Sequence, residues 1–208
     1  MMAPALTAEL MVDRDAGRAV PDLPAEAGLV IRTKNGDASA FEELVKMFQH
    51  RVFNFVLTRV RERQSAEDIT QEVLVKAYFN LHRLRRPEKF KSWLFSIAHN
   101  HLRDLMRKRK LETADGEETH FEHYVDARTP DREFSQERLK SRVRAALARL
   151  KPEQRQVLVL CDIEGLSYRE IADIMRVPLG TVQSRVFYAR KRIKEVLVSQ
   201  DLLSGDEL

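Results

Sequence analysis

Apolar residues recur every three or four positions along most of this chain, and the breaks in that rhythm divide it into helices. A short helix is predicted from Ala25 to Lys34, ended by Asn35-Gly36. Asp37 then caps a long amphipathic helix reaching about residue 62. Its stripe is Phe41, Leu44, Val45, Phe48, Val52, Phe55, Val56 and Val60. Ser65 with Asp68 reads as a capping box opening a third helix, whose apolar positions are Ile69, Val73, Leu74, Ala77, Tyr78 and Leu81. A basic loop over residues 82–89, with Pro87 inside it, leads to a fourth helix from Phe90 to about residue 109.

The rhythm is lost over residues 111–134, where Gly116 and Pro130 interrupt, and returns with Leu139, Val143, Ala146, Leu147 and Leu150. Lys151-Pro152 breaks that helix and starts the next, which Gly165 ends in a left-handed cap. Ser167 and Glu170 form a capping box on a short helix with Ile171, Ala172, Ile174 and Met175 on one face. A break at residues 176–178 follows. From Pro178 a further helix keeps Val182, Val186 and Ala189 inward and presents Thr181, Gln183, Ser184, Arg185, Phe187 and Tyr188. Two helices joined by a short turn, the second polar and basic, make a helix-turn-helix. An ordinary helical hairpin shares the periodicity. The capping box, the small Ala172 at the crossing and the basic second helix together favour the DNA-reading motif.

The expected fold is all-α, with two small helical domains at residues 25–110 and 135–198 joined by a flexible acidic linker, 111–134. A flexible extension, 1–24, and a tail, 199–208, flank them. Few glycines and prolines, 7 of each in 208 residues, agree with helices rather than many-turned β structure. Cys161 is the lone cysteine, so no intramolecular disulfide exists, and its apolar run reads as core. No apolar run is long enough for a membrane span and the start carries no secretory pattern, so a cytoplasmic chain without membrane insertion is expected.

Net charge is only +4, but its distribution is uneven. Residues 83–110 hold ten Lys or Arg against Glu88 and Asp104, and residues 140–194 hold thirteen against five acids. Between them, residues 111–134 hold eight acids and two arginines. Two basic regions around an acidic linker suit a polyanion, whose phosphates release counterions on binding. A single basic run would often be no more than a solvated face; two, one of them with a helix-turn-helix, are harder to read that way. Phe90, Trp93 and Phe95 interleave with the first basic region, while Asn100, Arg103 and Arg107 share a helix face at i, i+3 and i+7. Aromatic platforms beside positive charge fit opened DNA, although Leu94 and Ile97 read as core and Trp93 fits either role.

Ala66-Glu-Asp-Ile-Thr-Gln-Glu72, Phe90-Lys-Ser-Trp-Leu-Phe-Ser-Ile-Ala-His-Asn100 and the stretch from Gly165 to Arg192 occur in that order. In this the chain resembles the extracytoplasmic-function (ECF) sigma factors of bacterial transcription initiation, over residues 25–198. The resemblance implies an alternative sigma factor that binds core RNA polymerase and directs promoter recognition, DNA opening and initiation. It implies that Asp68, Gln71 and Glu72 dock on the polymerase clamp helices. Minus-ten DNA would meet Arg83, Leu84, Arg85, Arg86, Lys89, Lys91, Trp93, Asn100, Arg103 and Arg107. The minus-thirty-five element would meet Thr181, Gln183, Ser184, Arg185 and Phe187, with Arg190 and Lys191 nearer phosphates. The linker would run towards the RNA exit channel, and an anti-sigma protein would restrain the factor. The chain departs from the family in two places: Arg176 stands where a glycine often makes the turn, and Leu84 where the capture loop often carries an aromatic.

Two other function classes share some of these features. A helix-turn-helix activator that is not a polymerase subunit would need an effector pocket, for which four short basic helices offer little room. A metal-dependent nuclease would lean on His99, His101, His120 and His123. The first pair points to different helix faces, the second sits in the linker, and neither has carboxylates at ligand spacing. No enzyme activity, cofactor or metal is expected.

Overall fold

The computed structural model describes residues 24–60, 62–112 and 146–204, and every regular element among them is helical. The extension before residue 24, His120, His123, Leu139, Val143 and the acidic segment from residue 113 onward lie outside the described residues. Helix α1 spans Ala25–Lys34, and Gly36, at φ +96°, makes the turn that follows. Asp37 caps α2 (Ala38–Val56) as expected, accepting from the Ala40 amide at 3.3 Å while Arg32 holds its other oxygen at 2.7 Å. Helix α2 stops at Val56 rather than near residue 62. The backbone tightens there into turns at Thr58 and Arg59, and the Thr58 hydroxyl donates to the Phe55 carbonyl at 2.6 Å.

Helix α3 covers Arg63–Asn80 and corrects one expectation. It starts a residue pair before Ser65, behind Glu62, so the predicted capping box is not formed. Ser65 instead donates to the Glu62 carboxylate at 2.8 Å, and Asp68 accepts from Gln64 at 3.2 Å. Two 3-10 turns, Leu81–Arg83 and Pro87–Lys89, carry the basic loop into α4 (Phe90–Glu112). Phe48 and Phe55 from α2 meet Phe90 and Phe95 from α4 edge to face at 5.3 and 5.4 Å. All four rings are fully buried. Truncating any one of them to alanine would cost about 3–5 kcal/mol.

In the second half, α5 (Pro152–Leu158) widens into a π-helical turn, Val159–Ile163. The wide turn closes through Glu164 N–H to the Val159 carbonyl and Leu166 N–H to the Leu160 carbonyl, with Gly165 left-handed at φ +66° as predicted. Helices α6 (Tyr168–Met175) and α7 (Leu179–Ser204) complete the helix-turn-helix, and α7 runs past the residue 198 boundary expected for it.

The fold is two helical units, and they lie against each other. Helix α6 packs on α4, and one continuous apolar core runs from Val30 through Leu94 and Leu102 to Ile171, Val182 and Val186. Buried Arg155 ties the units together: it donates to the Leu147, Ala148 and Leu150 carbonyls at 2.8–3.2 Å and across to the Thr58 carbonyl at 3.2 Å. Burial and the nearby Arg59 depress its pKa, an opposition met by these charge-assisted hydrogen bonds. Among the described residues no helix is long and apolar enough to cross a membrane.

Candidate polymerase and promoter interfaces

On α3 the inward face is Ala66, Ile69, Val73 and Ala77, so helical spacing turns Asp68, Gln71 and Glu72 outward together, and all three are exposed. His101 of α4 stands behind Glu72, with Nε2 at 2.8 Å from Glu72 Oε2 and Nδ1 at 2.5 Å from Lys76 Nζ. Burial first, and then the Lys76 charge, lower the His101 pKa, while Glu72 works in the other direction. A neutral imidazole accepting from Lys76 follows, which leaves the Glu72 carboxylate as net charge facing outward. The same flank continues into Val75, Tyr78 and Phe79, all exposed; Phe79 is 68 % exposed. Tyr78 was expected in the apolar stripe, but it sits at the rim, edge-on to Phe41 at 4.9 Å and to Phe79 at 5.6 Å. A large exposed apolar residue three or four places after a polar face was the signal that pattern-reading passed over.

The minus-ten candidates separate into three groups. Arg83, Arg85, Arg86, Arg103 and Arg107 are exposed; Arg86 pairs with Glu88 at 2.7 Å and Arg107 lies 4.0 Å from Asp104. Leu84 is only 5 % exposed, and its carbonyl accepts from Lys34 of α1. As an apolar residue in a basic loop it turned to the core, so its side chain is not on the surface where the resemblance put it. Trp93 is half-buried against Phe90, with ring centroids 5.9 Å apart, and Asn100 is half-buried with its Oδ1 lacking a hydrogen bond. Lys89 and Lys91 form the third group, for they point at the other half of the protein. Lys89 Nζ donates to Glu170 at 2.9 Å, and Lys91 Nζ donates to the Glu164 carbonyl at 2.8 Å.

Beside Asn100, His99 is buried and its Nδ1 makes no hydrogen bond. Burial pushes its pKa down to about 4, helped by the positive charges of Arg59 and Arg103 from the first half and Arg176 and Arg185 from the second. It is therefore neutral at physiological pH. His99 and His101 occupy separate environments, as their spacing implied.

The capping box that opens α6 is present in full. Ser167 Oγ accepts from the Glu170 amide at 3.3 Å, and Glu170 accepts from the Ser167 amide at 3.1 Å. Burial works against charge on Glu170, yet the hydrogen bonds from Lys89 and Ser167 win and hold its pKa below the usual value. Arg176 makes the turn in the left-handed conformation, φ 54°, where a side chain costs about 1–2 kcal/mol. The Pro178 carbonyl takes the first α7 amides, from Thr181 and Val182. With Val182, Val186 and Ala189 buried, α7 presents Gln183, Ser184, Phe187, Tyr188 and Lys191 to solvent and leaves Thr181 and Arg185 half-buried. Ser184 Oγ donates back to the Thr181 carbonyl at 3.0 Å, which orients its lone pairs outward. Phe187 and Tyr188 contact each other edge to face at 5.4 Å. Arg190, expected near phosphates, is engaged inside the protein instead: Asp162 accepts from it at 2.6 and 3.3 Å, and Cys161 Sγ lies 3.7 Å away. That Asp162 hydrogen bond raises the Arg190 pKa. Arg190 fastens α7 to the π-turn, a role that follows from a contact 28 residues away in sequence.

Comparison with known proteins matches the two helical halves separately. Residues 44–112 match the family model of Sigma-70 region 2, and residues 140–193 that of Sigma-70, region 4. The RNA polymerase sigma-H factor of Pseudomonas aeruginosa is 34% identical over 177 residues, covering 81% of this chain and 92% of that protein. The ECF RNA polymerase sigma-E factor of Escherichia coli K12 is 33% identical over 173 residues, covering 79% and 90%. Among solved structures, the sigma factor RpoE of Bartonella quintana, in complex with the anti-sigma factor NepR, superposes with a TM-score of 0.60 at 28% identity, covering 76% of this chain and 96% of that one. CnrH in complex with the cytosolic domain of CnrY gives 0.58 at 24% identity over 84% and 97%, a likeness of fold. Two family models matched in the order of the two helical halves, with relatives 33–34% identical over about four fifths of the chain, make this chain a member of the extracytoplasmic-function sigma factors of bacterial RNA polymerase.

Proposed function

We propose that the chain acts in the cytoplasm as a non-catalytic polymerase subunit: it binds core RNA polymerase through Asp68, Gln71 and Glu72 and directs promoter recognition and opening. The proposed division of labour is residues 25–110 for docking and the minus-ten element and residues 135–198 for the minus-thirty-five element. The observation that carries it is the joint exposure of the acidic α3 face and the Gln183–Ser184–Phe187 surface of α7, each backed by a buried apolar face. Arg83, Arg85, Arg86, Arg103 and Arg107 supply the positive charge that a DNA strand would follow. The RpoE and CnrH structures are complexes with other proteins, NepR being an anti-sigma factor. Restraint of this chain by an anti-sigma protein belongs to the same reading.

The test is reconstitution with core polymerase and run-off transcription from genomic fragments. Discrete transcripts that depend on the chain are expected. Asp68→Lys with Glu72→Lys should lower core-polymerase affinity about tenfold or more, since like charge at a complementary surface costs several kcal/mol, while leaving helix content unchanged. DNA binding without polymerase association would favour the activator reading instead. Unchanged polymerase affinity in the double variant would remove Asp68 and Glu72 from the interface.

A further inference from the structure

We infer that His101 is a positioning residue for polymerase docking: by taking the Lys76 ammonium, it keeps Glu72 from being neutralised on the docking face. This rests on the docking role proposed above for Asp68, Gln71 and Glu72, and adds to it a residue from a different helix that acts through one of them.

Glu72 and Lys76 stand four residues apart on α3, glutamate first, which is the order and spacing of the favourable helical ion pair. Both are exposed and long enough to meet. Left to themselves they would close into that pair and cancel one charge on the face that also carries Asp68. They do not. Lys76 Nζ donates instead to His101 Nδ1 on α4, at 2.5 Å. An ammonium group has no lone pair to offer, so the imidazole is the acceptor there and its proton sits on Nε2. On that side Glu72 Oε2 lies 2.8 Å away but off the line of the N–H, a charge contact without an aligned hydrogen bond. The firmer of the two holds is therefore on the lysine. His101 is fixed where it stands: its side chain is 10 % exposed against 58 % for Glu72, and Ala98 and Leu102 beside it on α4 lie in the core. Burial and then the Lys76 charge lower its pKa, with Glu72 and Asp104 opposing, which keeps Nδ1 free to accept. A glutamate beside a neutral ring keeps its charge for a partner, whereas one joined to Lys76 presents a neutral pair.

His101→Leu removes the acceptor and frees Lys76 to swing onto Glu72. The full chain carrying it should bind core RNA polymerase about three- to tenfold more weakly than wild type, the scale expected when a charge at a complementary surface is cancelled. The deficit should shrink as salt is raised, since exposed charges are screened. Adding Lys76→Gln to His101→Leu removes the neutralising group and should bring affinity back to within about twofold of wild type. His101→Gln should do the same alone, because its amide accepts from Lys76 as the imidazole does. Unchanged affinity in His101→Leu would overturn the inference. So would a loss that Lys76→Gln fails to restore, which would make His101 a packing contact between α3 and α4 and nothing more. If His101→Leu loses helix content, Lys76→Gln in the wild-type background decides, since it leaves the histidine in place. Affinity within about twofold of wild type is then expected, because Lys76 is already drawn off. A clear gain would show that Lys76 neutralises Glu72 even with His101 present, and a clear loss would place Lys76 itself on the polymerase; either overturns the proposal. The docking reading is scored separately, by Asp68→Lys with Glu72→Lys. If that variant binds polymerase as wild type does, the docking face is wrong. If it binds weakly while His101→Leu binds normally, the docking face stands and only the role of His101 falls.

Discussion

Burial of His99 predicts a specific loss of stability in mild acid. Its imidazole sits in the core of α4 with no partner for Nδ1, and Arg59, Arg103, Arg176 and Arg185 all oppose a further positive charge there. The folded-state pKa is about 4 against an ordinary 6.5. The unfolded chain therefore binds more protons between those values, and stability rises with pH across the window. Linkage from the two pKa values gives a penalty of about 0.2 kcal/mol at pH 7 and about 2 kcal/mol at pH 5, approaching about 3 kcal/mol below pH 4. Urea unfolding at pH 7 and pH 5 measures it. Wild type should lose about 2 kcal/mol more than His99→Gln over that interval, since glutamine does not titrate and the other groups are common to both proteins. Parallel pH dependence in the two proteins would refute the reasoning, because it would mean that His99 takes a proton as easily folded as unfolded.

Promoter reading can be divided within α7. Gln183→Ala should cost about 1–3 kcal/mol at one base position, the worth of a bidentate adenine contact, measured on a panel of single-base promoter variants. Lys191→Ala should weaken all sequences evenly and lower the salt slope by about one. The left-handed turn offers a test of strain: Arg176→Gly removes about 1–2 kcal/mol of backbone cost and gives back about 0.5–1 kcal/mol of unfolded-state entropy. The midpoint of thermal unfolding should rise or hold. A clear fall would show that the Arg176 side chain contributes more than its backbone costs.

Much of the local structure was legible in the sequence because its causes are local. The Asp37 cap, the Ser167–Glu170 box and the left-handed Gly165 depend on residues within a few places of each other, and all were read correctly. The predicted box at Ser65 failed because the helix begins two residues earlier, at Arg63, which puts Ser65 inside the first turn, where its hydroxyl donates to Glu62. Periodicity marks which face of a helix is apolar but not what covers it, so the packing of α6 on α4 left no trace in the pattern. The burial of Arg155, Gln156 and Glu164 between the halves has no signal in the periodicity, since it depends on partners far away in sequence. The candidate sites divided the same way. Exposure of Asp68, Gln71, Glu72, Gln183 and Ser184 follows from helical spacing alone. The inward turn of Leu84 and the capture of Lys89, Lys91 and Arg190 by distant groups do not.

The bond between Arg51 and Glu164 joins residues 113 positions apart, and that separation has a meaning in time. At about 5–20 residues per second on the ribosome, the first half, which ends with α4 at Glu112, is complete for roughly 3–10 s before Glu164 has been synthesised. During that interval the α4 flank that will meet α6 has no partner, and Lys89 and Lys91 have yet to meet their acceptors. A newborn chain thus passes through a state that the finished protein conceals. The same interval leaves apolar surface open to chaperones, so the order of synthesis makes the last quarter of the chain the step that completes the core.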